Sequence, residues 1–184
     1  MTLISEAVKH DHRELEDAYN HILSATTADE KQRWQNQFTW ELARHSIGEE
    51  LILYPALEKN LPNGKEMADK DRAEHQIVKE LLYKFQALKA DDPNFTPTIK
   101  SLWTKLCEHI KEEETQDLMA LEKTLKQNDS EDMATKFKRT KKFVPTRSHP
   151  SAPDKPPFET VVGLMAAPID RLMDMFRKFP TDTS

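Results

Sequence analysis

The chain has 184 residues, of which 37% are hydrophobic and 32% charged, and it contains only 3 glycines. This length allows one well-packed core with an appendage, and the scarcity of glycine favours helices over a turn-rich all-β fold. The formal net charge of -5 argues against nucleic acid as the main partner.

The first predicted helix runs from about Leu3 to Leu23, because apolar residues recur three and four positions apart. Thr27, followed three residues later by Glu30, has the pattern of a capping box and should start the second helix. In that helix Pro55 removes a backbone donor, so we expect a kink or an end there. The loop LPNGK follows.

A third helix is predicted to begin near Lys65 and to end at the segment ADDPNF. Thr96 and Pro97 then have the pattern of an N-cap and first helical residue, and the fourth helix continues toward Leu125. Four long amphipathic helices joined by short loops predict an all-α fold. The simplest arrangement is an up-and-down four-helix bundle over residues 1–128.

Residues 129–184 are predicted to form a C-terminal extension that packs on the bundle. It starts with the basic linker KFKRTKK and continues as the proline-rich strap FVPTRSHPSAPDKPP, expected to cross the bundle in extended form. Pro168 should split the last segment into two short helices. We expect that segment to cover the bundle with the apolar residues on one side, which are Val162, Met165, Ile169, Met173 and Phe176.

Each of the four predicted helices carries one histidine on its apolar stripe, namely His12, His45, His75 and His109. Glu49 and Glu113 follow the second and the last of these by four residues, which places each His/Glu pair on one helix face. Packing the stripes together brings four imidazoles and two carboxylates into one interior. Since uncompensated buried charges are costly, this group predicts a metal site.

Nitrogen donors together with two carboxylates that can bridge, and without a thiolate, fit a pair of iron or manganese ions better than structural zinc. Cys107 lies about 200° from His109 around the helix, so it is not expected to be a ligand. His10 and His21 lie on the opposite side of the first helix from His12 and should face water.

Four motifs in order resemble the hemerythrin-like, or HHE cation-binding, domain family. They are DHRELE around His12, HSIGEELILYP from His45, DRAEHQIVKELL around His75 and EHIKEEE around His109. The resemblance covers about residues 1–127. The tail TRSHPSAPDKPP is also similar to the extension of many microbial and fungal members.

The resemblance implies two iron ions, each bound by two histidines and joined by two bridging carboxylates, in the order His12 with His45, His75 with His109, and Glu49 with Glu113. Hemerythrins bind dioxygen reversibly at such a pair. Relatives sense oxygen or iron, handle nitric oxide or peroxide, or catalyse oxidations.

Two departures from the family pattern matter. Hemerythrins have a further histidine four residues after the one matched by His75, where this chain has Lys79. The site should then be more open, which favours catalysis or sensing over stable dioxygen carriage. We expect Lys79 to extend to solvent, with a hydrogen bond to an oxygen ligand as the alternative. Hemerythrins also place an aspartate where this chain has Glu114; helix geometry favours Glu113, although a local π-bulge could reverse that choice.

Supporting groups are also predicted around the histidines. Asp71 and Glu41 precede His75 and His45 by one turn, so each could accept the outer imidazole proton or form a surface ion pair. Tyr54 is predicted to be a core residue.

Three functional hypotheses follow. The first is a di-iron protein that interacts with dioxygen, peroxide or nitric oxide. The second is an oxygen-dependent oxidase or oxygenase acting on a small organic substrate, in a pocket covered by the strap that bears His149; whether His149 takes part is left open. The third is a helical interaction module that binds a partner through the C-terminal helix.

The compartment is predicted from what the sequence lacks. A single cysteine cannot form an intrachain disulfide, which suits a reducing compartment. The N-terminus has no signal-peptide pattern, and no apolar run has the length of a membrane span. We therefore expect a soluble cytoplasmic protein and no membrane association.

Overall fold

A computed structural model describes residues 2–152 and 158–181, without the side chains of residues 158–165. Within these residues the protein is helical and contains no strand, which confirms the expected all-α class. The helices are α1 (Ile4–Ser24), α2 (Ala28–Gly48), α3 (Tyr54–Asn60), α4 (Gly64–Gln86), α5 (Phe95–Glu112), α6 (Leu118–Thr124), α7 (Gln127–Thr140) and α8 (Phe158–Asp174). Two π-helical turns, Glu49–Leu53 and Glu113–Asp117, join α2 to α3 and α5 to α6.

The helix starts follow local hydrogen bonding. The capping box is confirmed: the Glu30 backbone N–H donates to Thr27 Oγ1 at 3.2 Å, and the Thr27 backbone N–H donates to Glu30 Oε2 at 3.2 Å. Helix α5 begins at Phe95, earlier than the predicted start at Pro97. The Asp92 carboxylate accepts the backbone N–H two residues later at 2.7 Å, and this turns the chain into the helix sooner.

Two apolar clusters fill the interior at different levels along the helices. In α1, Val8 belongs to one cluster and Leu15 to the other, with His12 between them. In α2 and the turn after it the order is reversed, from Leu42 to Leu53. Helix α4 runs from the cluster of Val8 to the cluster of Leu15, and α5 followed by α6 runs back to the cluster of Val8. Consecutive long helices therefore run in opposite directions past a polar layer that separates the two clusters.

The segment predicted as a basic linker, residues 136–142, lies mostly in the C-terminal part of α7, which differs from the expectation. Ser130, Ala134 and Phe137 are buried and lie three or four residues apart, so one face of α7 packs against α1. In the sequence, this periodicity is interrupted by lysines and an arginine, so the helix face is not evident from the pattern alone. Helix α7 thus shares the apolar cluster that contains Val8.

The strap after α7 lies along α4 over the residues that the structure describes. The Ser148 hydroxyl donates to the Lys79 carbonyl at 2.6 Å, and the Ser148 backbone N–H donates to Gln86 Oε1 at 2.9 Å. Residues 153–157 of the predicted strap lie outside the described residues.

Helix α8 continues through Pro168, so the predicted split into two helices is wrong. A proline removes one backbone donor, and the helix can continue where other contacts hold it. Here Asp170 accepts the backbone N–H groups of Thr146 and Arg147, each at 3.1 Å, which fastens the turn after the proline to the strap.

The apolar face of α8 points away from the rest of the protein where the structure describes it. Ala167 and Asp170 are buried instead, because the polar contacts of Asp170 set the rotation of the helix. The exposed side chains include three that were expected to cover the bundle, Ile169, Met173 and Phe176. The side chains of Val162 and Met165 lie outside the description. No described helix combines the length and apolarity needed to span a membrane.

Candidate metal centre

The six predicted site residues come together in the polar layer between the two apolar clusters. All of them are buried: His12, His45, Glu49, His75, His109 and Glu113. The ring centroids of His12 and His45 lie 4.9 Å apart. Those of His75 and His109 lie 4.7 Å apart. The histidines thus form two pairs, as the family resemblance implies.

Glu49 lies between the two histidine pairs. Its Oε1 is 3.1 Å from His45 Nε2 and 3.9 Å from His12 Nε2. Its Oε2 is 3.3 Å from His75 Nε2, which in turn lies 3.1 Å from His109 Nε2. Within each triad of Glu49 and one histidine pair, the donor atoms lie within 4.8 Å of one another. One carboxylate is therefore positioned to reach two ions.

The second inward carboxylate is Glu113 rather than Glu114. Glu113 Oε2 lies 3.3 Å from His12 Nε2, whereas Glu114 Oε1 lies 2.8 Å from the outer nitrogen of His12, Nδ1. A π-helical turn does occur here, but it starts at Glu113, with the Leu118 backbone N–H donating to the Glu113 carbonyl. The extra residue therefore falls after Glu113, and the four-residue spacing from His109 is kept.

A matching π-helical turn follows Glu49, where only a kink or helix end was expected. The Tyr54 backbone N–H donates to the Glu49 carbonyl, five residues back. Pro55 has no N–H for the Leu51 carbonyl and its ring crowds that group, which favours the wider turn. As a result Glu50, next to Glu49, is also fully buried. The sequence reasoning missed Glu50.

Several inward-facing atoms lack a hydrogen-bond partner in the part of the chain that the structure describes. They are His12 Nε2, His45 Nε2 and both carboxylate oxygens of Glu49 and of Glu113. Each unsatisfied buried polar group costs about 1–3 kcal/mol, and more if it is charged. Nitrogen and oxygen donors that converge in this way fit divalent transition-metal ions, so the residues present suit a two-metal site.

The two inward carboxylates have opposite pKa shifts. Burial, followed by the negative charge of Glu113, raises the pKa of Glu49 well above its usual value. Burial also acts to raise the pKa of Glu113, but the neighbouring imidazoles of His12 and His109 hold it at about 2. Without cations, a proton is therefore bound more readily by Glu49 than by Glu113. A metal ion would remove the repulsion that keeps this proton bound.

Two of the imidazoles are held neutral by their surroundings. Burial lowers the pKa of His45 to about 4, and it lowers the pKa of His75 below its usual value. Metal binding requires neutral imidazole, so these rings are ready to donate at neutral pH.

Every histidine of the cluster turns Nδ1 toward a carboxylate from another helix or turn. The pairs are His12 with Glu114 at 2.8 Å, His45 with Asp11 at 3.3 Å, His75 with Glu50 at 3.1 Å, and His109 with Glu74 at 2.9 Å. A hydrogen bond from Nδ1–H leaves the Nε2 lone pair facing inward, as metal ligation needs. Asp71 and Glu41, which were predicted for this role, do not fill it.

Each of these outer carboxylates also lies next to a cation. The pairs are Asp11 with Lys141, Glu50 with Lys79 at 2.6 Å, Glu114 with Arg13, and Glu74 with Lys70 at 3.8 Å. Lys79 is buried against Glu50, so the expectation that it extends to solvent is wrong. Asp11 and Glu50, the carboxylates that face His45 and His75, are both buried. Each therefore needs a cation beside it, which explains the burial of Lys79.

Tyr54 is buried, as predicted, but it also reaches the cluster. Its hydroxyl lies 2.9 Å from His75 Nε2. Burial, followed by the negative charge of Glu49, raises its pKa well above the usual value, so the phenol keeps its proton. Its position directly after the Glu49–Leu53 turn is the sequence signal that could have revealed this role.

The remaining histidines and the cysteine lie elsewhere. His10 and His21 are exposed, as predicted, and Cys107 is also exposed. His149 lies in the strap, where its Nε2 is 3.0 Å from Asp170 Oδ2.

A small cavity borders the Lys79–Glu50 pair. Apolar side chains of α2 and α4 line it, and strap residues including Pro145 and His149 cover it. Its volume is about 30 Å³, enough for one or two molecules of the size of water.

Comparison with known proteins agrees with this geometry. The chain matches the family model described as hemerythrin HHE cation binding domain over residues 3–121. It is 60% identical over 181 residues to an uncharacterized hemerythrin-like protein of Schizosaccharomyces pombe, a match that covers 98% of this chain and 89% of that protein. It is 24% identical over 146 residues to a DNA nickase of Nostoc sp., covering 78% of this chain and 40% of the nickase. No solved structure gives a significant match. The chain belongs to the hemerythrin HHE cation-binding domain family.

Proposed function

We propose that the protein is a non-haem di-iron protein of the hemerythrin-like type that interacts with dioxygen, peroxide or nitric oxide. The observation that carries this proposal is the set of buried, unpartnered nitrogen and oxygen donors that converge between the two apolar clusters. Two iron ions with a shared carboxylate would supply the redox chemistry that binding of dioxygen, peroxide or nitric oxide requires. Manganese, which accepts the same donors, is the alternative metal.

In this proposal each ion takes one histidine pair, and two carboxylates are shared. The ligands would be His12 with His45 for one ion, His75 with His109 for the other, and Glu49 with Glu113 between them. The distances from Glu49 to both pairs support its bridging role. The contact of Glu113 with His12 supports its place on the first ion.

The surrounding residues prepare this donor set. The outer carboxylates fix the imidazole rings with Nε2 inward, so the rings need little reorientation when a metal ion binds. The Tyr54 hydroxyl, kept protonated by burial, can donate a hydrogen bond beside His75. The apolar clusters above and below the polar layer limit the access of bulk water.

The opposite directions of consecutive helices through the two clusters support an up-and-down four-helix bundle, with α2 and α3 forming one rod and α5 and α6 another. A cytoplasmic location stays a prediction that rests on the single cysteine.

The second candidate is an oxidase or oxygenase acting on a small organic substrate. The cavity beside Lys79 and Glu50 is the observation that bears on this second candidate, because Glu50 both lines the cavity and contacts His75. A volume of about 30 Å³ suits a diatomic molecule or peroxide. An organic substrate would require the strap to move, so the size of the cavity favours the first candidate.

The test is metal analysis of the purified chain together with absorption spectra recorded without oxygen and after addition of air. We expect about two iron ions per chain and a ligand-to-metal band that appears on exposure to air. A band that disappears on degassing indicates binding or sensing, and irreversible bleaching indicates turnover. Protein that holds no metal after iron supplementation would refute the proposal.

Matched variants separate the inward donors from their neighbours. Glu113→Gln removes a proposed ligand and should abolish binding of at least one ion. Glu114→Gln, one residue away, removes the carboxylate charge beside His12 Nδ1 and Arg13, and should weaken metal affinity by about 10- to 100-fold. His10→Gln removes an exposed histidine of α1 and should leave the metal content unchanged. Equal metal content in all three variants would contradict the assigned ligands.

A further inference from the structure

A cleft between α2, the end of α7 and α8 concentrates positive charge away from the metal centre. Its cationic lining residues are Arg44, Lys141, Lys142 and Arg171, and its volume is about 460 Å³. We call it the Arg44 cleft. Lys141 is neutralised by Asp11. The Asp174 carboxylate in the lining accepts a hydrogen bond from the Thr146 hydroxyl at 2.6 Å.

The guanidinium of Arg44 is held rigidly at this cleft. It stacks 3.3 Å from the centre of the Trp40 ring, and its Nε donates to the Lys141 carbonyl at 3.0 Å. Its Nη1 is buried and has no hydrogen-bond partner within the described residues. A guanidinium that is already fixed loses little entropy when it binds an anion.

The nearby acidic groups do not satisfy Arg44. Glu41 acts on Arg44 through its charge, but its carboxylate accepts a hydrogen bond from Gln37 at 2.9 Å. Burial raises the pKa of Glu41 to about 7, so it is a weak counter-ion at neutral pH. The charge at the cleft is therefore under-compensated.

We propose that the Arg44 cleft binds a phosphate group. Arg44 offers planar, oriented donors, while Lys142 and Arg171 add two solvent-accessible cations around the same space. A phosphate dianion takes several such charge-assisted hydrogen bonds at once, which a single carboxylate cannot use as fully. The residues involved are separate from the proposed metal ligands.

The phosphate group can belong to a soluble phosphoester or to a lipid headgroup. In the second case, exposed apolar residues at and just after the end of α8, including Leu172 and Met175, would meet the membrane. The chemistry recognised at the cleft is the same, so the experiment has one arm for each source.

In the first arm, the full-length iron-loaded protein is titrated calorimetrically with glycerol phosphate at low ionic strength. We expect one site, with a dissociation constant that rises roughly fivefold in Arg171→Gln and in Lys142→Gln. Lys178→Gln removes an exposed lysine outside the cleft and should bind as the wild type does. Metal content, measured for each variant, should stay unchanged, so a failure of the metal proposal would be visible separately.

In the second arm, flotation is measured with phosphatidylcholine vesicles that do or do not contain phosphatidic acid. Binding to phosphatidic acid that Arg171→Gln weakens, without binding of glycerol phosphate, assigns the lipid headgroup as the source. Binding in either arm that Arg171→Gln and Lys142→Gln leave unchanged would overturn the proposal. Absence of binding in both arms would overturn it as well.

Discussion

Two kinds of support hold the histidines of the metal centre. On His45 and His75 the outer carboxylate and its cation are both buried, whereas on His12 and His109 they lie at the surface rim. Each proposed iron therefore has one histidine of each kind. Solvent screens charges at the rim. The same series of imidazole, carboxylate and cation should therefore contribute much less to the free energy of unfolding at the rim than in the interior. Burial, rather than the presence of an ion pair, decides how much each contact contributes.

The largest effect is expected at Lys141. Lys141→Met leaves Asp11 buried without its cation, and removal of one partner of a buried pair costs about 3–5 kcal/mol. Urea denaturation of the metal-loaded protein measures the loss. The double variant Asp11→Asn/Lys141→Met should recover part of it, because no uncompensated charge remains. A double variant less stable than the single one would contradict the assigned role.

Lys79→Met should have a somewhat smaller effect, about 2–4 kcal/mol, because the small cavity beside Lys79 lets water approach the stranded Glu50. Loss of the ammonium removes a charge that keeps the pKa of Glu50 low, so this carboxylate becomes a weaker partner for His75. We expect a chelator to remove metal about tenfold faster than from the wild type. Unchanged release would show that Lys79 supports only the fold.

Glu41 extends the comparison to a buried carboxylate without a bonded cation. Burial raises its pKa from 4.5 to about 7, so the unfolded chain ionises first and stability falls as pH rises through this window. Glu41→Gln should therefore be more stable than the wild type by about 1–2 kcal/mol at high pH. The gain should disappear below the unfolded pKa of 4.5. Denaturation curves at acidic and alkaline pH measure it, and a pH-independent difference would exclude this cause.

The smallest effects are expected at the rim. Arg13→Gln and Lys70→Gln each remove an exposed cation, so the free energy of unfolding should change by less than about 0.5 kcal/mol. Raised salt should reduce even this difference. A loss comparable to that of Lys141→Met would remove the distinction between rim and interior.

The inward donors were predictable because the helical period is local information. One histidine on each apolar stripe, with Glu49 and Glu113 one turn later, is enough to bring six side chains to one level. The outer carboxylates were not predictable in this way. Glu50, Glu74 and Glu114 each neighbour a histidine or glutamate of the cluster in sequence, yet each pairs with a histidine from a different helix.

Two other differences between the sequence-based expectations and the structure also arise from contacts between helices that are distant in sequence. Lys79 was expected in solvent because a lysine rarely stays buried, and only Glu50, brought inward by the π-helical turn, makes its burial favourable. The C-terminal part of α7 was expected as a linker because its basic residues are conspicuous. The buried positions Ser130, Ala134 and Phe137 form a recognisable helix face only when α7 packs against α1.

Phe137 has a consequence for where the protein can be divided. Its ring meets the His45 imidazole edge-on at 6.2 Å, and a Cβ on Gly48 would lie 2.8 Å from it. The segment that matches the family model ends at residue 121, before Phe137 and before Lys141. A fragment trimmed to that region would keep every inward donor but leave one flank of His45 open to water. The buried surroundings of His45 thus extend beyond the segment that matches the family model, and transplanting the candidate metal centre into another scaffold would require α7 as well.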